Sequence, residues 1–450
     1  MQELLDDAAR RSIRYLEGLD DRGVAPDPAA LARLAELDDA LPELPCAPAD
    51  TLRLLDELGS PATMASAGGR FFGFVIGGAL PVTVASNWLA TAWDQNAALQ
   101  GPARAVSALE ATALRWMLDL LGLPAHCAGA YVTGATMANF SALAAARHAV
   151  LARAGWSVES DGLFGAPPIT VVIGEEAHPT LAKSLGLLGL GRNRVLRVPV
   201  DGQGRMRADR LPALSGPAIV CLQAGNVNTG AFDPFEDIVA QARDAGAWVH
   251  VDGAFGLWAA ASRELAPSVA GMALADSWAT DAHKWLNVPY DSGLAFVRDA
   301  DALRAAMAIS ADYLPVGDAR NPSDFTPELS RRARGVDVWA ALKTLGRAGV
   351  ASMLERCCAH ARRFARELEE AGFEILNDVV LNQVLACYGD AGTTLRLIAA
   401  LQADGECWCG ATCWQGRTAM RISVCSWATT DDDVTRSLAA MRRIARTLGS

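Results

Sequence analysis

Of the 40 basic residues, three are lysines, Lys183, Lys284 and Lys343, and the rest are arginines. Arginine stays protonated and cannot act as an amine nucleophile near neutral pH, so covalent amine chemistry has three side-chain candidates. Lys183 in "GEEAHPTLAKSLGLLG" and Lys343 in "WAALKTLG" sit in long helical patterns, where a lysine reaches out to water. Lys284 sits differently, in "DSWATDAHKWLNVPYDSG", residues 276 to 293. Its neighbours are small, apolar or turn-forming, and a cation in such a place needs a partner or a chemical task. Lys284 is the best placed of the three to hold an aldehyde as a Schiff base.

Other residues suit the rest of such chemistry. In "AWVHVDGAFG", Asp252 follows an apolar strand, where a carboxylate needs a cationic or hydrogen-bond-donating partner. A pyridinium nitrogen is such a partner: a nearby anion favours its protonated form, and a protonated ring makes pyridoxal phosphate an electron sink. An aspartate capping the next helix explains the same residue. Ala254 offers a methyl that can pack under a ring. His250 shares a side of the strand with Asp252 and could orient it, or serve structure alone. His178, between a strand and a helix, suits stacking on a flat cofactor or simple capping. "AYVTGATMANFSAL" reads strand, turn, helix. Gly134 permits a tight turn, Thr136 can cap the helix, and N–H groups around Ala135 and Thr136 form a phosphate site at its N-terminus. Such joints are common, so this one counts only in company.

These residues need a scaffold that brings strand ends together. From residue 129 to about 300, strand-like runs ("GAYVT", "ITVVIG", "RVLRVPV", "AIVCLQ", "AWVHVD", "DSWAT", "GLAFVRD") alternate with helical ones. The alternation predicts a mainly parallel sheet with helices on both faces and ligands at the carboxyl ends of the strands. Residues 1–60 read as helices broken by proline-rich connections. Residues 61–325 form the expected large α/β domain, and 326–450 a smaller α+β domain with strands in "FEILN", "VLACYG", "CWCGATCW" and "TAMRISVC".

The 450 residues carry a net charge of −11 with no basic stretch interleaved with aromatics, which argues against nucleic acid or anionic membrane as partner. No apolar run reaches the roughly 18 residues of a membrane span. The N-terminus lacks the layout of a signal peptide, so a cytoplasmic protein is expected. Ten cysteines fit a reducing compartment. Cys407, Cys409 and Cys413 share the parity of one strand face but have no nearby histidine, so they read as small core residues, with no metal expected.

A phosphate-cradling turn, a histidine, Asp-x-Ala at a strand end and then His-Lys, in this order, resemble the fold-type I pyridoxal phosphate enzymes. Within them, "TDAHKWLNVPYDSG", "HVDGAFG", "RFFGFV" and "LGLLGLGRNRV" are similar to the group II amino-acid decarboxylases, which include aromatic-amino-acid and glutamate decarboxylases. The resemblance runs from about residue 60 to the C-terminus, and His-Lys-Trp is its most specific part. It implies an α/β fold with a mainly parallel central sheet and flanking helices, a helical N-terminal segment and a small α+β C-terminal domain. It implies pyridoxal 5′-phosphate as cofactor, with Lys284 forming the internal aldimine, Asp252 on the pyridine nitrogen, and His178 stacked opposite Ala254. By the same resemblance Ala135, Thr136 and His283 hold the phosphate and Asn226 lies near the cofactor's edge. Phe74 and Val75 match the pocket for the substrate side chain. The implied reaction is decarboxylation of an L-amino acid, aromatic or bulky and apolar, to its amine and CO2 through a quinonoid. The family's homodimers, with active sites at the subunit interface, set the expected oligomer.

Three positions depart from the family pattern. Aromatic-amino-acid decarboxylases carry a loop tyrosine thought to protonate Cα. Here the loop of residues 310–330 holds only Tyr313, whose offset from Arg331 and Arg332 differs, while Phe325 stands nearer the expected place. Loss of that tyrosine goes with oxidative decarboxylation to aldehydes. Asp281 stands where some relatives have asparagine near the phosphate. Arg421 stands where other fold-type I enzymes bind a carboxylate, and suits a structural role as well. Aldehyde synthase, carbon–carbon lyase, aminotransferase and a catalytically silent cofactor-binding regulator remain as rival readings.

Overall fold

The computed structural model describes residues 1–309 and 320–449, so Tyr313 lies outside the described residues. The chain forms two compact units, one of Ala79–Ala359 with Asn377–Gln383, the other of Met1–Gly78 with His360–Leu376 and Val384–Ser450.

The larger unit is built on seven strands: β1 (Ala128–Val132), β2 (Thr170–Gly174), β3 (Leu196–Val198), β4 (Ala218–Gln223), β5 (Trp248–Asp252), β6 (Ser277–Asp281) and β7 (Gly293–Val297). Each of the seven runs read from the sequence supplies one. Their order is β1-β7-β6-β5-β4-β2-β3. The pairs β2–β3, β2–β4, β4–β5 and β5–β6 are parallel, and β7 runs antiparallel to both β1 and β6. The sheet is mainly parallel, as the alternation predicts. Strands β1, β5, β6 and β7 are buried along their whole length, which explains why they read as continuous apolar runs instead of alternating ones.

The helix Ala135–Arg153 lies across β5, β6 and β7. Its buried face is largely alanine (Ala138, Ala142, Ala145, Ala146), so backbone and sheet come close. Because β1 points the same way as β2, β3, β4, β5 and β6, six strands end on one edge. At that edge a Cβ on Gly293 would lie 2.4 Å from Gly134 Cα. Gly134 itself is extended (φ 167°), so these glycines serve close approach and not a left-handed turn. The helix starts at Ala135 with Gly134 as its cap residue, which corrects the expectation that Thr136 caps it.

The smaller unit holds β8 (Glu374–Ile375), β9 (Gln383–Cys387), β10 (Gly410–Trp414) and β11 (Arg417–Ser423), in the order β10-β11-β9-β8, and helices including Gln2–Glu17, Ala391–Asp404 and Asp431–Gly449. The shared face expected for three cysteines does not form. Strand β10 begins only at Gly410, so Cys407 and Cys409 precede it and are buried, while Cys413 is exposed. Among the described residues no helix is long and apolar enough to cross a membrane.

One buried ion pair ties β1 to the segment before the helical region Gly335–Glu370, which is kinked at Gly346. Arg331 Nη1 lies 3.0 Å from Glu110 Oε2 and donates to the Ala97 carbonyl, while Nη2 donates to the Tyr131 carbonyl. Both side chains are almost wholly buried. Glu110→Ala would leave the guanidinium buried without its counter-charge, and urea denaturation should show a loss of about 3–5 kcal/mol.

Candidate functional site

A cavity of about 310 Å³ opens where β1, β2, β4, β5 and β6 end, lined by residues that follow each of them. Gly134, Ala135 and Thr136 come after β1, His178 after β2, Gln223, Gly225 and Val227 from the end of β4 and its loop, Asp252 from the end of β5 with Ala254 and Phe255 after it, and Asp281 from the end of β6 with His283 and Lys284 after it. A cavity of about 570 Å³ lies at the opposite edge, around Trp248, Asp276 and Arg298, and receives none of these residues.

Lys284 belongs to a single helical turn, Ala282–Trp285, that starts directly from β6. Its Nζ lies 3.0 Å from Asp281 Oδ2 and 5.9 Å from the centre of the Phe255 ring. The other Asp281 oxygen, Oδ1, accepts the Ala135 N–H at 2.6 Å. Sequence reading left Asp281 unexplained near a phosphate site. In the structure it is buried, paired with the lysine, and bonded to the first N–H of the helix that follows β1. His283 Nδ1 accepts the Ser292 N–H at 3.1 Å, so its neutral ring carries the proton on Nε2, 3.6 Å from Asp281 Oδ1. Burial pushes the His283 pKa down; the Asp281 charge opposes this and the Lys284 charge adds to it. The Tyr290 ring packs on His283 with centroids 4.3 Å apart, a contact the sequence did not announce.

At the end of β5, Asp252 Oδ1 accepts the Ala254 N–H at 3.2 Å, and Oδ2 accepts from Asn139 Nδ2 at 3.0 Å. His250 Nε2 meets Asn139 Oδ1 at 2.8 Å. His250 therefore reaches Asp252 through Asn139. Nothing in the sequence singled out Asn139, which sits inside an alanine-rich helix. His178 caps the helix Pro179–Leu187, its Nδ1 meeting the Thr180 hydroxyl at 2.6 Å. Asn226 is not among the lining residues. Its Oδ1 accepts the N–H groups of Asn228 and Thr229 and shapes the loop, and its neighbours Gly225 and Val227 line the cavity. That loop is anchored by Asp233, which accepts the N–H groups of Met206 and Gln223 and whose pKa burial raises to about 6.

Phe74 and Val75 lie in the smaller unit. Phe74 has a positive φ of 54°, is 61% exposed, and stacks on Trp408 with centroids 5.9 Å apart, while Val75 is buried. Phe325 is buried beneath the Arg320 guanidinium, 4.4 Å from its ring centre. Burial lowers the pKa of Arg421, on β11.

The model of the pyridoxal-dependent decarboxylase conserved domain matches residues 63–388. The chain belongs to the pyridoxal-dependent decarboxylase family. It is 27% identical over 290 residues to an aromatic-L-amino-acid decarboxylase of Bacillus atrophaeus, a match covering 62% of this chain and 58% of that protein. It is 28% identical over 386 residues to an L-2,4-diaminobutyrate decarboxylase of Rhizobium meliloti, covering 81% and 74%. The match to the Bacillus protein thus spans less than two thirds of that relative's length. In fold it is similar to the Oryza sativa TDC crystallised with PLP and tryptamine, with a TM-score of 0.92, 22% identity, and coverage of 100% of this chain and 98% of that one.

The family's cofactor is pyridoxal 5′-phosphate, and the lining residues suit it. They provide one amine (Lys284), a strand-end carboxylate for a ring nitrogen (Asp252), an imidazole and a methyl for ring faces (His178, Ala254), and a helix N-terminus for a phosphate (Ala135, Thr136). Asp281 is at odds with the set, because its carboxylate already takes the Ala135 N–H. Asp281→Asn keeps an acceptor for that N–H but takes the counter-ion from Lys284. Absorbance titration should show it binding pyridoxal phosphate about tenfold or more weakly than the wild type. Unchanged or tighter binding would mean that Lys284 keeps its place without Asp281.

Proposed function

We propose that this protein decarboxylates an L-amino acid to its amine and CO2 with pyridoxal phosphate. The observation that carries this reading is the convergence of Lys284, Asp252, His178, Ala254 and a helix N-terminus on one cavity. When bound, pyridoxal phosphate supplies an aldehyde for an amine and a ring that withdraws electrons from a substrate carbon. Lys284 would hold the aldehyde, with Asp281 as counter-ion of its free amine. Asp252 would pair with the ring nitrogen, and His178 and Ala254 would confine the ring so that one bond at Cα is presented for cleavage. The Thr136 N–H and the Nε2–H of His283 would hold the phosphate, with the Ala135 N–H committed to Asp281.

For the substrate we favour an aromatic or bulky apolar side chain. Among the described residues lining the cavity there is no arginine, and their one lysine is claimed by the chemistry, so a second carboxylate on the substrate would find no counter-charge among them. We propose a homodimer with interfacial active sites, testable by sedimentation. We also propose a cytoplasmic setting, with which ten free cysteines agree.

Incubation with individual amino acids, scoring CO2, amine, aldehyde and hydrogen peroxide together, tests the reaction. Amine and CO2 in equal amounts from an aromatic substrate are expected. Aldehyde and peroxide in place of amine would establish oxidative decarboxylation instead. Borohydride should attach the cofactor permanently to the peptide holding Lys284. Lys284→Ala should lower turnover by about three orders of magnitude or more while leaving the fold intact. Full activity in that variant would exclude Lys284 as the cofactor's amine.

A further inference from the structure

Behind Asp252 runs a chain of hydrogen bonds whose direction is fixed at both ends. Trp248 Nε1 lies 2.9 Å from Ser277 Oγ, Ser277 Oγ 2.9 Å from His250 Nδ1, His250 Nε2 2.8 Å from Asn139 Oδ1, and Asn139 Nδ2 3.0 Å from Asp252 Oδ2. All five residues are buried, and Ser277, His250 and Asn139 have no exposed surface. An indole N–H can only donate and a carboxylate can only accept. With His250 neutral, one arrangement satisfies every link: Trp248 donates to Ser277, Ser277 to His250 Nδ1, His250 Nε2–H to Asn139, and Asn139 to Asp252. Burial in a site with no exposed surface keeps the ring neutral, pushing the His250 pKa down to about 3.

The chain constrains the carboxylate at its end. A proton on Asp252 Oδ2 would point at the Asn139 amide N–H. Relief would need Asn139 to flip, which would set its NH2 against the Nε2–H of His250. That ring would then have to change tautomer and donate from Nδ1 to Ser277, whose oxygen can take this bond beside that of Trp248 but whose own hydroxyl proton would lose its acceptor. Each link resists the reversal, and a reversed donor in a dry interior costs more than the bond it replaces.

We infer that Asn139 is a positioning residue for cofactor recognition: with His250 and Ser277 it holds Asp252 as an oriented, proton-free carboxylate, so that the site selects a ring bearing a protonated nitrogen. This rests on the reading of the site as a pyridoxal phosphate site. It also gives the helix Ala135–Arg153 two duties. Its first turn faces the phosphate position, and one turn later it fixes the partner of the ring nitrogen.

The test compares binding of pyridoxal 5′-phosphate with binding of its carbon analogue, 1-deazapyridoxal 5′-phosphate, in which C–H replaces the ring nitrogen. The ratio of the two Kd values reports the Asp252–nitrogen interaction and cancels general damage to the site. Wild type should prefer the nitrogen-bearing ring. Asn139→Leu and His250→Phe should lose about tenfold or more of that preference, with affinity for the carbon analogue kept within about threefold. His250→Gln, which can still donate to Asn139, should restore most of it. If Asn139→Leu keeps the wild-type preference, the inference fails while the cofactor reading stands. If wild type itself does not discriminate between the rings, the pairing of Asp252 with the nitrogen fails, and both fall. Nitrogen-15 NMR of the six histidines in the wild-type protein decides the tautomer without any variant. His250 should remain neutral and Nε2-protonated from about pH 5 to about pH 8, and an Nδ1–H or charged ring would overturn the chain.

Discussion

The arrangement of the site depends on how Asp281 is satisfied. Its carboxylate is 4% exposed, and a charge so placed persists only with partners. One oxygen takes the Ala135 N–H and the other takes Lys284 Nζ. Its own N–H donates to the Ala254 carbonyl at 2.9 Å, and its carbonyl accepts the Trp258 indole N–H at 3.0 Å. Every polar group of this residue is engaged, and together they join the helix after β1, the loop after β5 and the turn carrying Lys284. The lysine therefore has a defined place before any ligand arrives, because its counter-ion is fixed from three sides.

The sheet makes that junction possible. Strand β7 lies between β1 and β6 and runs antiparallel to both. Neighbouring strands are spaced by about 4.8 Å, so the ends of β1 and β6 are roughly 10 Å apart. The antiparallel strand starts at the very edge where they end, and it starts with Gly293. A side chain there would collide with Gly134. With glycine on both sides, the helix after β1 can bring Ala135 within hydrogen-bond reach of Asp281. The alanine face of the same helix does the equivalent work further along, and Asn139 meets both Asp252 and His250 as a result.

Much of this was legible in the sequence, for a physical reason. Residues that follow buried strands announce themselves, because a charged or polar side chain at the end of an apolar run is costly without a purpose. Lys284, Asp252 and His178 were found that way and His283 through the family resemblance, and the structure gathers them, with Ala135, Thr136 and Ala254, around one cavity. The seven strands were equally readable from their apolar runs. What escaped were roles set by tertiary partners. Asn139 looks like any polar residue inside a helix until Asp252 and His250 flank it. Asn226 sits in the right loop, yet its amide is used within the turn, and Val227 beside it reaches the cavity wall. The helix boundary moved Thr136 from cap to first turn because Gly134 already fills the cap position. The cysteines failed as a strand face because parity carries no information before a strand begins.

Cofactor chemistry and substrate choice also differ in how strongly this structure constrains them. Among the described residues lining the cavity, two carboxylates, Asp252 and Asp281, face one lysine, and buried His283 is disfavoured as a cation. The field there is already negative before a phosphate and the substrate's α-carboxylate are added. A further carboxylate on the substrate side chain would enter against that field and find no arginine in the wall. A cationic side chain would be drawn in, but both carboxylates already have partners, Lys284 for Asp281 and Asn139 for Asp252, and would have to give them up. A neutral side chain avoids both costs. Its binding then depends on apolar area, a requirement that aromatic residues meet with few rotatable bonds and little entropy lost on ordering.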